Sequence, residues 1–411
     1  MTQTTTVPQK STPTAETFQT GQVLTIAGGH LTHDIFTSFL APLLPLIIQR
    51  LGLSLTLAGS LAAFQQLPSL ANPLLGLLAD RVNLRWFAIL APTVTAITMS
   101  AMGLAPNYTA LVILLLVAGV STAIWHVPTP VMIARASGRQ VGQGMSFYML
   151  GGELARTIGP LLAVSAVAWW GLEGIWRLAP VAMVASVILY WRTREMGGAR
   201  PAARANGSWA ETWRELRRVM LPIAGIVFAR GFMVAALTIF LPTFLSSEGA
   251  SLLQAGGSLS ILELAGAAGV LTSGTISDRI GRRRVLAFVL SVAPTLMLIF
   301  LAVRGWATLP LLMALGFATL STNPVLMALV QEYGRNHPAT ANGLYMALQF
   351  AGQSLCIVLV GAMADRWGLR AAYQWCALIG FAGVGFVLLL PRRTTAPRDE
   401  RRVTKAEVRD G

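Results

Sequence analysis

The sequence predicts an all-α membrane protein of twelve transmembrane helices in two matched six-helix halves. Three observations predict it: apolar runs of spanning length, a scarcity of charge, and a repeat of about 200 residues. Of 411 residues, 54% are hydrophobic and 12% charged, with a mean hydropathy of +0.62. Soluble domains carry roughly 25% charged residues, so half of the surface that water requires is missing. A bilayer is the solvent that permits this composition.

A helix needs about 20 apolar residues to cross about 30 Å of hydrocarbon. Such runs fall at 22–49, 54–79, 86–105, 108–134, 143–170 and 175–191, and again at 218–246, 251–277, 285–303, 308–331, 342–364 and 371–391. The expected organisation is therefore a tail over 1–21, a first bundle over 22–191, a linker over 192–217, a second bundle over 218–391 and a basic tail over 392–411. The linker is polar and glycine-rich. Prolines inside spans, such as Pro42, Pro45, Pro68, Pro73, Pro128 and Pro130, are compatible with membrane helices, where neighbours satisfy the freed backbone groups. Residues 1–20 are polar and lack the basic-then-apolar pattern of a signal peptide, so the first span is the expected insertion signal.

The net charge of +14 comes from 31 Lys+Arg against 17 Asp+Glu. Most of the arginines lie between apolar runs, which points to topology control and anionic lipid headgroups rather than nucleic acid. With the N-terminus inside, the inner loops and tails hold 24 of the 31. The outer loops hold Arg50, Arg177, Arg304, Arg366 and Arg370, while Arg156 and Arg230 sit within spans. Both termini are expected in the cytoplasm of a prokaryotic cell. Cys356 and Cys376 lie in apolar segments and read as small buried hydrophobes.

The repeat appears in detail after the second and eighth spans. GLLADRVNLR (76–85) is echoed by SGTISDRIGRRR (273–284), with Asp80 and Asp278 198 residues apart. GMSFYMLGGE (144–153) is echoed by GLYMALQFAGQ (343–353). A parallel duplication of this kind places a substrate site between two bundles that rock against each other.

The loop after the second span resembles the major facilitator signature, Gly-x-Leu-(Ala/Ser)-Asp-Arg-x-Gly-Arg-(Arg/Lys). The second copy matches at Gly274, Ser277, Asp278, Arg279, Gly281, Arg282 and Arg283, and the first at Gly76, Leu78, Ala79, Asp80, Arg81 and Arg85, with Asn83 in place of glycine. The expected role is a conformational latch, in which glycine lets helices approach and Asp pairs with a nearby Arg.

Within that superfamily the chain is similar to the fosmidomycin-resistance efflux family. GGHLTHD (28–34) resembles its Gly-His-x-x-Asn-Asp, with His33 replacing Asn. TAIWHVPTPVMIARASG (122–138) resembles its Phe-His-Pro segment, with Trp125 for Phe and Val127 inserted. SFYMLGGELARTIGPLLA (146–163) resembles its Gly-Gly-Asn-x-Gly-x-x-x-Gly-Pro, with Glu153 for Asn and Ala155 for Gly. VQEYGRNHPATANGL (330–344) and GAMADRWGLRAAYQWCA (361–377) extend the likeness to nearly the whole chain. The resemblance implies the major facilitator fold and a proton-driven exporter of small toxic compounds. Gly151, Gly152, Gly159 and Pro160 also resemble the fifth-helix motif of drug/proton antiporters, where small residues permit tight helix packing. The arginine that many antiporters carry in the fourth helix is missing.

A charge near the bilayer centre costs at least about 2.5–3.5 kcal/mol, so the few present need a reason. The candidates for proton coupling are Asp34, Glu153, His30 and His126; His30 and Asp34 are four residues apart and share a helix face. Low-dielectric surroundings favour the neutral form of a carboxylic acid, which lets it load and release a proton. The candidates for substrate contact are His33, Arg156, Arg230, Trp125, Tyr148, Gln65, Glu263 and Gln349, the arginines suiting an anionic group. Plainer roles stand beside these. Glu153 is either a carrier or the neutralising partner of Arg156; His126 either works or satisfies carbonyls freed by the prolines; Glu263 is either a site residue or a lone helix–helix bond. Glu332 reads as interfacial.

The expected function is thus proton-coupled export of small drugs or metabolites by a monomer in the bilayer. The alternatives are proton symport of a small organic anion and, from another class, a transport-inactive sensor. No metal-ligand spacing, nucleophile elbow or phosphate-binding loop is present, so neither a cofactor, a metal nor catalysis is expected.

Overall fold

The computed structural model describes residues 17–72, 85–194, 196, 209–334 and 338–391, of which 209–216 and 338–340 are described by backbone alone. The described residues are helical, with no strand among them. Among the described residues, ten helices are long and apolar enough to cross a membrane: α1 (Thr20–Leu51), α3 (Arg85–Leu104), α4 (Tyr108–Ala136), α6 (Leu172–Arg192), α7 (Arg217–Ser247), α8 (Leu252–Ile280), α9 (Arg282–Ala302), α10 (Gly305–Tyr333), α11 (Ala341–Trp367) and α12 (Leu369–Leu389). Two further helices, α2 (Leu55–Gln66) and α5 (Val141–Trp170), occupy the second and fifth positions. In α5 the glycines, Glu153 and Arg156 dilute the apolar run. The first copy of the signature at Gly76, Asp80 and Arg81, linker residues 195 and 197–208, and tail residues 1–16 and 392–411 lie outside the described residues.

Local chemistry sets the turns and repeats them. Gly52 takes φ +62° after α1, and Ser54 then accepts the Leu57 N–H to start α2. Gly249 takes φ +95° after α7, and Ser251 with Gln254 forms a reciprocal cap at the start of α8. The pairs Gly52/Gly249 and Ser54/Ser251 are both 197 residues apart. At the other end Arg85 donates to the Tyr190 carbonyl and Arg283 to the Leu388 carbonyl. Both members of that pair are offset by 198 residues, so the duplication inferred from sequence is a duplication of contacts.

Within α7 a π-helical turn spans Ala236–Phe240, just before Pro242. Such a turn leaves a carbonyl outside the regular ladder, and the Tyr373 hydroxyl donates to Ala236 O at 2.5 Å. Large apolar side chains cover the outside, with Leu221, Phe288, Leu388 and Leu389 all exposed. Trp169, Trp306 and Trp367 are exposed near one end of the bundle and Trp86 and Trp191 near the other. Two aromatic levels flanking an apolar band are the signature of a bilayer.

The two halves meet through α2 against α11 and α5 against α8. These pairs exchange under the internal symmetry, because adding six helices to one gives the other. The tightest meeting lies at the end away from the termini. Gly361 has the Leu55 carbonyl oxygen 2.4 Å from where a β-carbon would stand, and Gly59 has the Ile357 carbonyl at 2.9 Å. Asp365 on α11 closes the same end by capping α2. Its Oδ1 accepts the Leu55 N–H at 2.7 Å, and its Oδ2 accepts the Thr56 N–H at 2.8 Å and the Thr56 hydroxyl at 2.5 Å. A carboxylate at a helix N-terminus is favoured by both the unpaired N–H groups and the helix dipole.

Candidate functional site

Four helices of the first half bring the polar residues of α1 together. α1 and α5 approach closely because Gly151 and Gly159 leave no side chain between them: a β-carbon at Gly151 would lie 2.6 Å from the Ala27 carbonyl oxygen. Gly152 lies directly against the site, where a β-carbon would stand 2.8 Å from His30 Cε1. The Gly152→Val variant is therefore expected to displace the His30 ring and lose nearly all transport, with Gly152→Ala intermediate. Initial rates of uptake at matched expression check this, and equal rates in the valine variant would contradict it.

Asp34 is buried, and its two carboxylate oxygens face two histidines of its own helix. His33 Nδ1–H donates to Oδ1 at 2.8 Å, and His30 Nε2 lies 3.2 Å from Oδ2. The other nitrogens are also committed. His33 Nε2 meets the Thr95 hydroxyl at 3.0 Å, and Thr95 continues through Ser121 to the Ala91 carbonyl. His30 Nδ1 lies 2.8 Å from the Tyr148 carbonyl oxygen and must donate to it, since a carbonyl only accepts. The same holds for His126 Nδ1 and the Thr122 carbonyl at 2.9 Å. That carbonyl is not one freed by proline: Pro128 and Pro130 leave the carbonyls of Ile124 and His126 without their helical donors.

Trp125 and Tyr148 form the back of this cluster. The Trp125 ring is fully buried and stacks on His33 at 5.2 Å, while Tyr148 stacks on His30 at 4.0 Å and bonds Thr129 through its hydroxyl. His33 is likewise fully buried. Gln65 lies apart from them, donating to the Thr37 carbonyl at the bend of α1.

A second cluster crosses the interface. Arg156 Nη2 pairs with Glu153 at 2.5 Å one turn away on α5, and its Nε lies 3.6 Å from Glu263 Oε2 on α8. Glu263 is thus a partner of the opposite half rather than a lone helix–helix bond. Glu153 and Glu263 are both buried, and each keeps one oxygen, Oε2, without a hydrogen bond among the described residues. Two carboxylates share one guanidinium.

The second half holds a third cluster. Arg230 is buried and donates to Asn323 Oδ1 at 2.6 Å; Gln349 donates to the same oxygen at 2.6 Å and to the Tyr345 hydroxyl at 3.0 Å. Arg230 Nε has no hydrogen-bond partner, and no carboxylate pairs with Arg230 among the described residues. Asn323 and Tyr345 escaped the sequence reading, because uncharged polar residues in an apolar run carry little signal.

The second copy of the signature is built as an ion-pair knot at the terminal end of α8. Arg282 pairs with Asp278 and with Glu332 at 3.3 Å, and donates to Ser277 Oγ. The partner of Asp278 is Arg282, and Arg279 is exposed. Gly281 takes φ +99°, a backbone region open chiefly to glycine. Its equivalent, Asn83, lies outside the described residues. Arg85 stacks toward Tyr190 at 5.4 Å.

Ten spanning helices and the two further helices α2 and α5 among the described residues, in two related halves with buried charge where they meet, define a membrane transporter. The family model of the Major Facilitator Superfamily matches residues 26–356, and the chain belongs to that superfamily. It is 24% identical to the fosmidomycin resistance protein of Escherichia coli K12 over 377 residues, covering 90% of this chain and 92% of that one. Its fold is similar to that of the nucleoside transporter NupG, with a TM-score of 0.72 at 16% identity over 91% of this chain and all of that one. It is equally similar to an inward-facing, unoccupied bacterial homologue of the human lysosomal transporter Spinster, with a TM-score of 0.72 at 16% identity over 92% and 96% of the two chains. At such identities the structures speak for fold alone.

Proposed function

We propose that the protein is a proton-coupled antiporter that exports small drugs or metabolites by alternating access, with both termini in the cytoplasm. The observation that carries this reading is the guanidinium of Arg156 shared between Glu153 of its own half and Glu263 of the other. Two buried carboxylates and one permanent cation leave a surplus negative charge, which a proton neutralises. The Glu263 arm exists only while the halves are together at that level. Protonation there and opening of the interface are therefore coupled, since a ligand shifts a two-state equilibrium by its differential affinity. Asp34 and the pair His30/His126 supply a second protonatable group inside the first half. Arg230 and Gln349, with Arg156 and Glu263, form the substrate contacts, while His33, Trp125, Tyr148 and Gln65 shape and hold the site. The conformation closed at Asp365 is the inward-facing one.

The likeness to a fosmidomycin resistance protein supports export and makes phosphonate antibiotics the first compounds to test. A second reading, proton symport of a small organic anion, has in its favour the buried Arg230, which pairs with no carboxylate among the described residues. Proteoliposomes carrying a pH-sensitive dye separate the two. Antiport predicts that a compound added outside dissipates an inside-acid gradient; symport predicts that it acidifies the lumen with no gradient imposed. Asp34→Asn is expected to lose uphill transport yet retain substrate exchange. Movement of a compound with no pH change of either kind would remove proton coupling altogether.

A further inference from the structure

We propose that His30, Asp34 and His126 form a binding site for one divalent transition-metal ion of the zinc, cobalt or nickel class. Candidate ligand atoms of these three residues all lie within 4.8 Å of one another. They come from α1 and α4, 92 residues apart, so no ligand spacing in the sequence announces them. Two imidazoles and one carboxylate are a donor set suited to first-row transition metals, whereas magnesium and calcium require oxygen.

The surroundings are already those of a metal site. A ligating histidine almost always donates its remaining ring N–H to a carbonyl or carboxylate, which fixes its tautomer. His30 does so to the Tyr148 carbonyl and His126 to the Thr122 carbonyl. In the neutral ring of each, the free lone pair is then on Nε2. Asp34 is oriented by His33, whose Nδ1–H occupies Oδ1 and leaves Oδ2 for the site. His30 Nε2 is buried with no hydrogen-bond partner among the described residues, 3.2 Å from Oδ2. In the neutral ring two lone pairs face each other across that distance and repel, and either a proton on Nε2 or a metal cation held between them relieves it. Ligands held at about 2.0–2.2 Å from a tetrahedral zinc ion sit about 3.2–3.6 Å apart, which is the spacing this pair already has. His126 is the least buried of the three, and a shift of its ring completes the set. Gly152 lets α5 pack directly against His30, where a β-carbon would stand 2.8 Å from Cε1.

The experiment is titration of tag-free protein in detergent with Co2+, followed by its visible d–d absorption. The expected result is one Co2+ bound per chain, displaced by Zn2+ but not by Mg2+ or Ca2+ at the same concentration. Asp34→Asn and His126→Gln are each expected to weaken binding at least tenfold, whereas His337→Ala, which removes the one histidine that neither the site nor the bond to Asp34 uses, leaves it unchanged. Saturating Zn2+ is also expected to raise the Tm of the unaltered chain by about 3 °C or more, a readout that needs no variant. Absence of saturable one-to-one binding, absence of a Tm shift, or unchanged binding in both site variants overturns the proposal. None of these measurements uses substrate or a gradient, so their failure and a failure of the antiport reading are separate results.

Discussion

Arg156→Met is expected to destabilise the protein by about 1–3 kcal/mol, the cost of leaving buried polar groups without their partner, and to abolish transport. The physical reason is that Glu153 and Glu263 are both buried and share this one cation. Arg156 itself is 43% exposed, but removing it leaves two buried carboxylates without their cation, which costs more than the pairs themselves contribute. Glu263→Gln is expected to behave in the opposite way. It removes the surplus charge and leaves Glu153 and Arg156 as a one-to-one pair, so stability holds or rises slightly. Uphill transport is nevertheless lost, because the interface no longer has a group whose protonation separates the halves; exchange of substrate across the membrane persists. Thermal unfolding in detergent, paired with exchange and gradient-driven flux in proteoliposomes, checks both. A Glu263→Gln chain that still concentrates substrate against a gradient would remove this triad from the coupling mechanism.

The second large effect is expected at the closed end of the bundle. Asp365 reaches from α11 to cap the first N–H groups of α2, so the bond joins the two halves and must break when that end opens. Loss of a cap costs about 1–2 kcal/mol, and 1.4 kcal/mol is tenfold in an equilibrium. Asp365→Ala is therefore expected to shift the ratio of open to closed at this end by roughly five- to thirtyfold. Gly361→Leu is expected to shift it further, because its β-carbon would meet the backbone oxygen of Leu55. Spin labels placed on α2 and α11 near this end report the change as a longer distance population. Unchanged distances in both variants would mean that these contacts do not hold the closed state.

Much of this was legible in the sequence because bilayer physics writes itself into composition. Spanning length, the repeated Asp-Arg of the signature and the offset of about 200 residues each follow from a local or periodic constraint. The same offset relates Arg85 to Arg283, and in the structure both bond the carbonyl at the end of the sixth helix of their half. Even the intramembrane charges could be picked out individually, since each is costly enough to stand alone. What they do to one another was another matter. Glu263 could be named from its depth in α8, but that it reaches Arg156 on α5 depends on how two bundles sit together. His126 could be suspected beside its prolines, yet the structure turns its ring to Thr122 and brings it to His30 and Asp34.

The sequence by itself determined the solvent, the helices, the duplication and which residues are too expensive to be idle. Only the tertiary structure decided which of those residues share a charge, which are sealed against Trp125 and Tyr148, and which half each partner comes from. The reason is one of range. Hydropathy and helix periodicity act over one or two turns, whereas a hydrogen bond between α1 and α4 or an ion pair between α5 and α8 exists only after small residues such as Gly151 and Gly152 have let the helices close to contact.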